Sequence, residues 1–264
     1  MFYKDKVVWI TGASSGIGEA LAYELARQHS ITILSSNQPD ELERVKNNYD
    51  KIGGKSYIQF LDITEIEKMD SITKSLIDKF GRIDVLINNA GISQRSLAIE
   101  TPLAIDRKIM EIDYFGTIAL TKTVLPYMIK EKTGYIAATS SISGKFGFPL
   151  RSAYSAAKHA LHGFFETLRS EIYDDNIKVL IAFPGRVKTN ISLHALTKNG
   201  TAHGKMDEGL NKGISAEKCA KQYLKAIRKD KKEVLIGSSE LLMVYIHKFF
   251  PKIFYKLARK IKPV

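Results

Sequence analysis

A tyrosine and a lysine stand four positions apart in the stretch "YSAAKHAL", as Tyr154 and Lys158. In a helix this spacing places both side chains on one face, one turn apart. An isolated pair of this kind is ordinarily a surface contact. It also meets a chemical need, because a phenol with a pKa of about 10 is a poor acid or base near neutral pH, and a neighbouring ammonium favours the phenolate. The pair indicates a proton-transfer centre, provided that other groups align with it.

A serine is the third candidate for chemistry. Ser141 lies thirteen residues before Tyr154, at the carboxyl end of the predicted strand "GYIAATSS". Ligands of open parallel sheets bind at that edge, where a hydroxyl can hydrogen-bond a substrate oxygen and stabilise charge that develops on it. Ser140 is expected to point the other way, because side chains alternate along a strand. Ser141, Tyr154 and Lys158 are therefore the candidate catalytic residues.

A glycine-rich turn, "TGASSGIG" at residues 11–18, follows the first predicted strand and opens the first predicted helix. In such a turn Gly12 allows the chain to reverse, Gly16 lets the backbone approach a pyrophosphate, and Gly18 lets the helix pack closely on the strand. A purely structural turn is the alternative. The position in a strand-turn-helix unit favours dinucleotide binding.

The elements that hold these groups are visible as seven short apolar runs that alternate with segments of helical periodicity: "KVVWI", "ITILSS", "SYIQFLD", "DVLINNAG", "GYIAATSS", "KVLIAFPG" and "EVLIG". Near-continuous apolarity is typical of strands covered on both faces. The alternation predicts an α/β class with a doubly wound, mostly parallel, Rossmann-like sheet. Thr64 and Glu67 have capping-box spacing, and Gly81 ends the apolar stripe that follows, which predicts one of the helices.

Composition limits the remaining classes. The 264 residues suffice for one core, and no linker rich in Pro, Gly or Ser divides them, so a single domain is expected over 1–264. The net charge of +12 favours anionic partners, but no nucleic-acid-binding motif accompanies it. Cys219 is the only cysteine, so neither a disulfide nor a Cys/His zinc site is expected, and no metal is predicted. Without a cleavable leader or a bilayer-length apolar stretch, a cytoplasmic location is expected.

Five motifs in order resemble the short-chain dehydrogenase/reductase family: the Gly-x-x-x-Gly-x-Gly turn, "NNAG" at 88–91, "SSISG" at 140–144, Tyr154-x-x-x-Lys158 and "PG" at 184–185. The resemblance runs from about residue 5 to about residue 237. The stretch "SAYSAAKHALHGFFETLRSE" is most similar to the branch that includes 11-beta-hydroxysteroid dehydrogenase and related dehydrogenase/reductase members. The resemblance implies an NAD(P)-dependent enzyme in which Lys158 also reaches the nicotinamide ribose.

One position departs from the family pattern. Where the family carries an Asn in a pattern like Asn-Tyr-Phe-Gly, this chain reads "MEIDYFG", so the position is Asp113. The resemblance implies a catalytic role, largely through the main chain, in holding a water that relays protons to Lys158. The carboxylate would hold Lys158 cationic and would oppose a Tyr154 phenolate at short range. We expect activity with a shifted pH optimum.

The choice of nicotinamide cofactor is made at the end of the second strand, in "ITILSSNQPDEL". Ser36 stands where NAD enzymes of the family carry an acid, and Asn37 where many NADP enzymes carry an Arg. The absence of a repelling carboxylate, the hydroxyls of Ser35 and Ser36 and the basic charge favour NADP over NAD.

Other cofactor contacts follow from the resemblance. Asp62 matches the acid that meets the adenine amine, although a carboxylate at a helix entry is the alternative. The full set of expected cofactor contacts is Gly12, Ser14, Ser15, Gly16, Ile17, Gly18, Ser36, Asn37, Asp62, Ile63, Asn89, Ala90, Gly91, Tyr154, Lys158, Pro184, Val187 and Thr189.

Two segments fall outside these motifs. Residues 189–214 are polar and glycine-punctuated, and the family places a substrate lid there, ahead of a helix that Ser215 is expected to start. In residues 240–264, Lys248, Lys252, Lys256 and Lys260 recur every four positions beside an apolar face, with Pro251 at a bend between two helices. This basic amphipathic extension could lie on an anionic membrane surface, cover the substrate cleft or form an oligomer contact.

These features favour an NADP-dependent oxidoreductase that interconverts a carbonyl and an alcohol on a hydrophobic, steroid-like or lipid-like substrate. The alternatives are the same chemistry with NAD, or a catalytically weak dinucleotide-binding sensor or scaffold, for which Asp113 is the one argument. A homo-oligomer is expected by analogy with the family, and nucleic acid is not expected as a partner.

Overall fold

The seven predicted apolar runs become strands in the structure, a computed structural model that describes residues 1–259. In chain order the strands of this range are β1 (Val7–Thr11), β2 (Ile31–Ser36), β3 (Lys55–Phe60), β4 (Val85–Asn88), β5 (Gly134–Thr139), β6 (Ile177–Pro184), β7 (Val187–Lys188), β8 (Ile214–Ser215) and β9 (Glu233–Ile236). Seven of them form a parallel sheet in the order β3-β2-β1-β4-β5-β6-β9, while β7 and β8 pair separately. The strand order reverses between β1 and β4, so a ligand crevice is expected beside their carboxyl ends.

Helices cover both faces of the sheet, as the doubly wound prediction requires. Within residues 1–259 they are α1 (Gly16–Ala26), α2 (Pro39–Lys51), α3 (Ile66–Phe80), α4 (Leu103–Met110), α5 (Gly116–Glu131), α6 (Ser152–Glu171), α7 (Glu208–Asn211), α8 (Ala216–Arg228), α9 (Leu242–Phe249) and α10 (Pro251–Ala258). Leu21 of α1 and Tyr223 of α8 are buried on one face, and Met69 of α3 and Phe165 of α6 on the other. None of these helices combines the length and apolar character that crossing a bilayer would require.

Two local expectations differ from the structure. The capping box is wrong, because Thr64 donates its hydroxyl to Asp62 at 2.7 Å and α3 begins only at Ile66. The end of that helix at Gly81 is confirmed, with a φ of 79° that favours glycine. Strand β3 is also less covered than its sequence suggested, because it is the edge strand of the sheet and its residues are half-buried or exposed.

The two segments outside the family motifs are folded over residues 189–214 and 240–259. Residues 189–214 lie between β7 and β8, and Leu196 in this segment accepts a hydrogen bond from Arg95 N and donates one to Ser93 O, each at 2.8 Å. Ser215 caps α8 as expected, since its hydroxyl accepts from Lys218 N at 3.1 Å. A lid function for the segment stays a prediction.

The carboxyl-terminal extension forms the two predicted helices, with Pro251 in the first turn of α10. Phe254 of α10 is buried and contacts the ring of Phe146, with ring centroids 4.9 Å apart. Residues 260–264, which include the predicted Lys260, lie outside the described residues.

Candidate active site

A cavity of about 1130 Å³ opens at the carboxyl edge of the sheet, beside β1 and β4. Nearly all of the expected site residues line it, namely Gly12, Ser14, Ser15, Gly16, Ile17, Ser36, Asn37, Asp62, Ile63, Asn89, Ala90, Gly91, Ser141, Tyr154, Lys158, Pro184, Val187 and Thr189. Gly18 and Asp113 do not line the cavity, because each is buried behind residues that do. The volume is ample for a dinucleotide together with part of a second molecule.

The glycine turn has room only for glycine at two positions. Gly12 has a φ of +64°, and a Cβ there would lie 2.8 Å from the Cα of Ala90. A Cβ on Gly18 would lie 2.0 Å from the carbonyl oxygen of Gly12 and 2.7 Å from the side-chain nitrogen of Asn89. The turn is therefore held tightly against the neighbouring loop, which leaves the first N–H groups of α1 facing the cavity.

Thr11 and Asn89 link the glycine turn to the loop that follows β4. The Thr11 hydroxyl oxygen accepts hydrogen bonds from the backbone N–H groups of Asn89 and Ala90, each at 3.0 Å. In return, the Asn89 side chain donates to the carbonyl oxygens of Thr11 at 3.2 Å and Gly12 at 3.3 Å. Sequence reasoning did not identify Thr11, whose one sequence signal is its position directly before the turn.

Ser141 stands at the end of β5 with extended backbone and a side chain in the cavity wall. Its hydroxyl oxygen accepts from Ser143 N at 3.1 Å, and its hydroxyl lies 3.4 Å from the carbonyl oxygen of Pro184. Ser140 points the other way, as expected, and donates to the carbonyl oxygen of Lys158 at 2.9 Å. This bond ties the end of β5 to helix α6, which carries Tyr154 and Lys158.

Lys158 is held in a fixed position. It is 4% exposed, and its Nζ lies 3.2 Å from the carbonyl oxygen of Thr139, 3.1 Å from Asp113 Oδ2 and 5.5 Å from the ring centroid of Tyr154. Burial alone would lower the pKa of the ammonium, but its interactions with Asp113 and Tyr154 outweigh burial and raise that pKa. Lys158 therefore carries its positive charge beside the phenol at neutral pH.

Asp113 lies in a π-helical turn, Glu111–Phe115, between α4 and α5. Such turns often occur at functional sites. Its Oδ1 accepts from Ile92 N at 2.8 Å, and Gly91 makes room for the pair, since a Cβ there would lie 3.2 Å from Asp113 Oδ1 and from Lys158 Nζ. Burial raises the pKa of the Asp113 carboxyl, and Lys158 opposes that rise. Because Lys158 is cationic, an ionised Asp113 leaves the buried pair without net charge.

The second strand ends in a small polar cluster. The hydroxyls of Ser14 and Ser36 lie 2.9 Å apart, and Ser36 also accepts from Gln38 N at 3.2 Å. The Ser35 hydroxyl was also expected to favour NADP, but it is not available to a cofactor. Its oxygen accepts a hydrogen bond from Trp9 Nε1 at 2.8 Å inside the core. Of the two serine hydroxyls expected to favour NADP, the Ser36 hydroxyl remains a candidate for a ribose contact.

Asp62 is a carboxylate at a helix entry, and its contact with adenine stays a prediction. One oxygen accepts from Thr64 N at 2.9 Å, as a carboxylate at a helix entry does, and this backbone N–H lowers the pKa of the carboxyl. The other oxygen lies 3.3 Å from the Asn37 side-chain nitrogen and faces the cavity. The Asn37 amide is thus bridged to Asp62 at the adenosine end of the expected site.

Arg44 lies next to the glycine turn and was not anticipated. Its guanidinium donates to the carbonyl oxygen of Ser14 at 3.2 Å and to Glu19 at 2.6 Å and 3.0 Å, and it also bonds Glu41 at 2.7 Å. Hydrogen bonds to the two glutamates raise the pKa of Arg44 further above its usual range. Arg44 follows the second strand by eight residues, and no local motif marks it.

Comparison with known proteins identifies the family to which this chain is similar. The family model described as short chain dehydrogenase matches residues 6–199. The chain is 40% identical over 261 residues to the dehydrogenase/reductase SDR family protein 7-like of Anopheles gambiae, covering 97% of this chain and 82% of that protein. It is 40% identical over 253 residues to the dehydrogenase/reductase SDR family member 7 of Homo sapiens, covering 94% and 75%.

Solved structures agree with the fold. A short-chain dehydrogenase from Streptomyces avermitilis superposes with a TM-score of 0.81 at 27% identity, covering 97% of this chain and 99% of that one. A short-chain dehydrogenase/reductase from Burkholderia phymatum in complex with NAD superposes with a TM-score of 0.86 at 20% identity, covering 100% and 98%. The narrower likeness to the 11-beta-hydroxysteroid dehydrogenase branch stays a prediction. The chain belongs to the short-chain dehydrogenase/reductase family and is an NAD(P)-dependent oxidoreductase.

Proposed function

We propose that the protein interconverts a carbonyl and an alcohol by hydride transfer with NADP, on a hydrophobic substrate. The observation that carries this proposal is that Ser141, Tyr154 and Lys158 line the same cavity as the glycine turn. A proton donor, an oxygen-binding hydroxyl and a cation beside the donor are what carbonyl reduction requires. Assaying NADPH oxidation with steroid and long-chain ketones tests the proposal, and activity confined to small polar aldehydes would contradict it.

The bound cofactor supplies the hydride, and the chain's own residues handle the proton. In reduction, the Tyr154 phenol gives its proton to the carbonyl oxygen while the carbonyl carbon receives the hydride. Ser141 donates a hydrogen bond to that oxygen and stabilises the charge that develops there. Lys158, 5.5 Å from the ring centroid, stabilises the phenolate that remains, and a proton returning to the phenolate completes the cycle.

Asp113 acts as a positioning residue in this scheme. Its ion pair with Lys158 keeps the ammonium cationic in a site where burial alone would favour the neutral amine. Its hydrogen bond from Ile92 N also joins the loop after β4 to the helix that carries it. The carboxylate at the usual Asn position is therefore compatible with turnover and moves its pH dependence.

The preference for NADP rests on what stands at the end of β2. No carboxylate occupies the position of Ser36, whose hydroxyl lies 2.9 Å from that of Ser14 in the cavity wall. An acid at this strand end would bind the ribose hydroxyls of NAD and repel a phosphate. Thermal unfolding with NADPH or NADH at matched concentrations measures the preference, since a ligand of the folded state raises the melting temperature. A larger rise with NADH would contradict the proposal.

We also propose a cytoplasmic protein that contacts membranes through the basic amphipathic extension. Phe249, Phe250 and Ile253 are each more than half exposed, and Lys248 and Lys252 are exposed among them. Residues 241–259 contain no Asp or Glu, so the surface is complementary to an anionic bilayer. Met243 of α9 also lines the cavity, which suits entry of a lipid-like substrate from the membrane.

Sedimentation with vesicles tests this contact. Vesicles of phosphatidylcholine and phosphatidylserine should retain the protein, and a Phe249→Ser, Phe250→Ser variant should lose most of that binding. A variant with Ser in place of Tyr173, an aromatic residue that is 80% exposed elsewhere on the surface, is the matched control and should still bind. Equal binding by all three proteins, or no binding by any, would contradict a membrane role for the extension.

A further inference from the structure

Two arginines and one aspartate form a buried cluster in the wall of the same cavity. Arg95 follows β4, Arg151 directly precedes α6, and Asp207 belongs to the 189–214 segment. Asp207 Oδ2 lies 2.5 Å from Arg95 Nη2 and 2.8 Å from Arg151 Nη2, and Asp207 Oδ1 lies 3.2 Å from Arg95 Nε. The side chains are 2%, 12% and 3% exposed, in the order Arg95, Arg151, Asp207.

The charges in this cluster do not balance. Two guanidiniums share one carboxylate, and burying a cation without a counterion is costly. Burial and the nearby Arg95 lower the pKa of Arg151 to about 10, despite the attraction of Asp207. Glu208, the next acid along the chain, does not supply the missing charge, since its side chain is 83% exposed and lies 3.7 Å from Lys212. The cluster therefore carries one surplus positive charge inside the cavity.

Arg151 is the arginine whose positive charge is less well compensated. Arg95 is engaged by Asp207 and also donates to Ser93 at 2.9 Å and to the carbonyl oxygen of Gln94 at 2.5 Å. Arg151 makes one short bond, to Asp207, and a contact of 3.5 Å with the carbonyl oxygen of Pro149. Among residues 1–259, no acceptor lies within bonding distance of its Nε. Arg151 thus keeps N–H donors for a further acceptor, and it lines the cavity.

The cluster also lies close to the reacting groups. Arg151 holds the cap position directly before α6 and Tyr154 sits in the first turn, three residues later. The Tyr154 phenol is near enough to oppose the lowering of the Arg151 pKa, and both residues line the cavity. An oxyanion bound to Arg151 would therefore share the cavity with a carbonyl that contacts Tyr154. Arginine is well suited to this task, because its planar fork of donors matches a carboxylate or a phosphate.

We propose that Arg151, supported by Arg95 and Asp207, binds an anionic group of the substrate, so that the natural substrate is an apolar carbonyl compound with a carboxylate or phosphate near the carbonyl. This inference rests on the proposed carbonyl reduction and names its substrate class. Asp207 already shows an oxyanion bound between the two guanidiniums, and the substrate group would take the donors of Arg151 that remain.

The test compares a phenyl-substituted 2-oxo acid with its ethyl ester; both carry the same ketone, and only the acid is anionic. With NADPH, the parent protein should show a higher kcat/KM for the acid. Arg151→Gln should reduce the ratio of acid to ester by about tenfold or more, the size expected for losing a hydrogen bond between charged groups. Lys198→Gln, which removes an exposed charge from the 189–214 segment at a residue that does not line the cavity, should leave the ratio unchanged.

The outcomes separate this inference from the proposed function. If the ester is reduced as efficiently as the acid by the parent protein, the anion site is wrong and carbonyl reduction stands. If neither compound is reduced, the phosphate arm decides: inorganic phosphate should raise the melting temperature of the NADPH-saturated parent more than that of Arg151→Gln, and equal rises overturn the site. Stronger protection by phosphate than by benzoate would assign the group as a phosphate. Arg151→Lys, which keeps the charge, replaces the Gln variant should the latter not fold.

Discussion

Adding one methyl group at Gly18 tests the packing of the glycine turn. Replacing a glycine inside a helix by alanine ordinarily stabilises a protein by about 0.5–1 kcal/mol, because the unfolded chain loses freedom. At Gly18 the new Cβ would lie 2.0 Å from the carbonyl oxygen of Gly12 and 2.7 Å from the side-chain nitrogen of Asn89. The first of these is a backbone atom in a turn that is itself held against Ala90, so it has little freedom to move away.

The magnitude follows from the two opposing effects. Forcing a methyl group into a packed site costs about 1–3 kcal/mol, and the helix-propensity gain offsets at most about 1 kcal/mol of it. We expect Gly18→Ala to lower the free energy of unfolding by about 1–2 kcal/mol. The shift of the Gly12 carbonyl should also disturb the N–H groups at the start of α1, so the rise in melting temperature produced by NADPH should be largely lost.

Gly163 provides the matched control. It lies in the interior of α6 and is exposed, and apart from its chain neighbours and its own helix backbone no atom lies within 4 Å of the position that a Cβ would take. Gly163→Ala should therefore raise the free energy of unfolding by about 0.5–1 kcal/mol and leave the NADPH effect intact. Urea denaturation measures the first quantity and thermal unfolding the second. If Gly18→Ala stabilised the protein as Gly163→Ala does and kept its response to NADPH, the close packing of the turn would be refuted.

Further predictions concern the reacting groups and the cofactor. Asp113→Asn removes the charge that holds the pKa of Lys158 up against burial, so the alkaline limb of the pH profile of turnover should move to lower pH; an unchanged profile would show that the carboxylate does not act on Lys158. Ser141→Ala should reduce kcat by about 10²–10³ with little change in NADPH affinity, because it removes a donor to the developing oxyanion, and a loss of less than tenfold in single-turnover measurements would count against that role. Ser36→Asp should reverse the order in which NADPH and NADH raise the melting temperature, since the new carboxylate repels a 2′-phosphate. Light scattering should give a mass above that of one chain, as the family resemblance predicts for a homo-oligomer, and a monomer at assay concentration would contradict it.

The sequence was sufficient for the features that depend on neighbours along the chain. The seven strands are apolar over short stretches, and Tyr154 and Lys158 are one helical turn apart, so periodicity alone predicts them. Gly12, Gly16 and Gly81 are equally local, since each has a positive φ that favours glycine at its own position.

The features that the sequence did not reveal depend on contacts between distant residues. Arg95 and Asp207 are 112 positions apart, and Thr11 and Asn89 are 78 apart, so only the folded chain shows that they meet. The hydroxyl of Ser35 seemed available for the cofactor until the fold placed Trp9 against it. The exposure of β3 likewise follows from its place at the edge of the sheet, which its own apolar sequence does not indicate.

The most direct test of the proposed chemistry is the rate of NADPH-dependent carbonyl reduction by Tyr154→Phe. This variant removes the phenolic oxygen and leaves the ring beside Lys158, 5.5 Å from the ammonium. We predict a loss of turnover of at least about 10²-fold, as for removal of a general acid, with NADPH still raising the melting temperature as it does in the parent protein. Turnover within a few-fold of the parent value would contradict the assignment of Tyr154 as the proton donor.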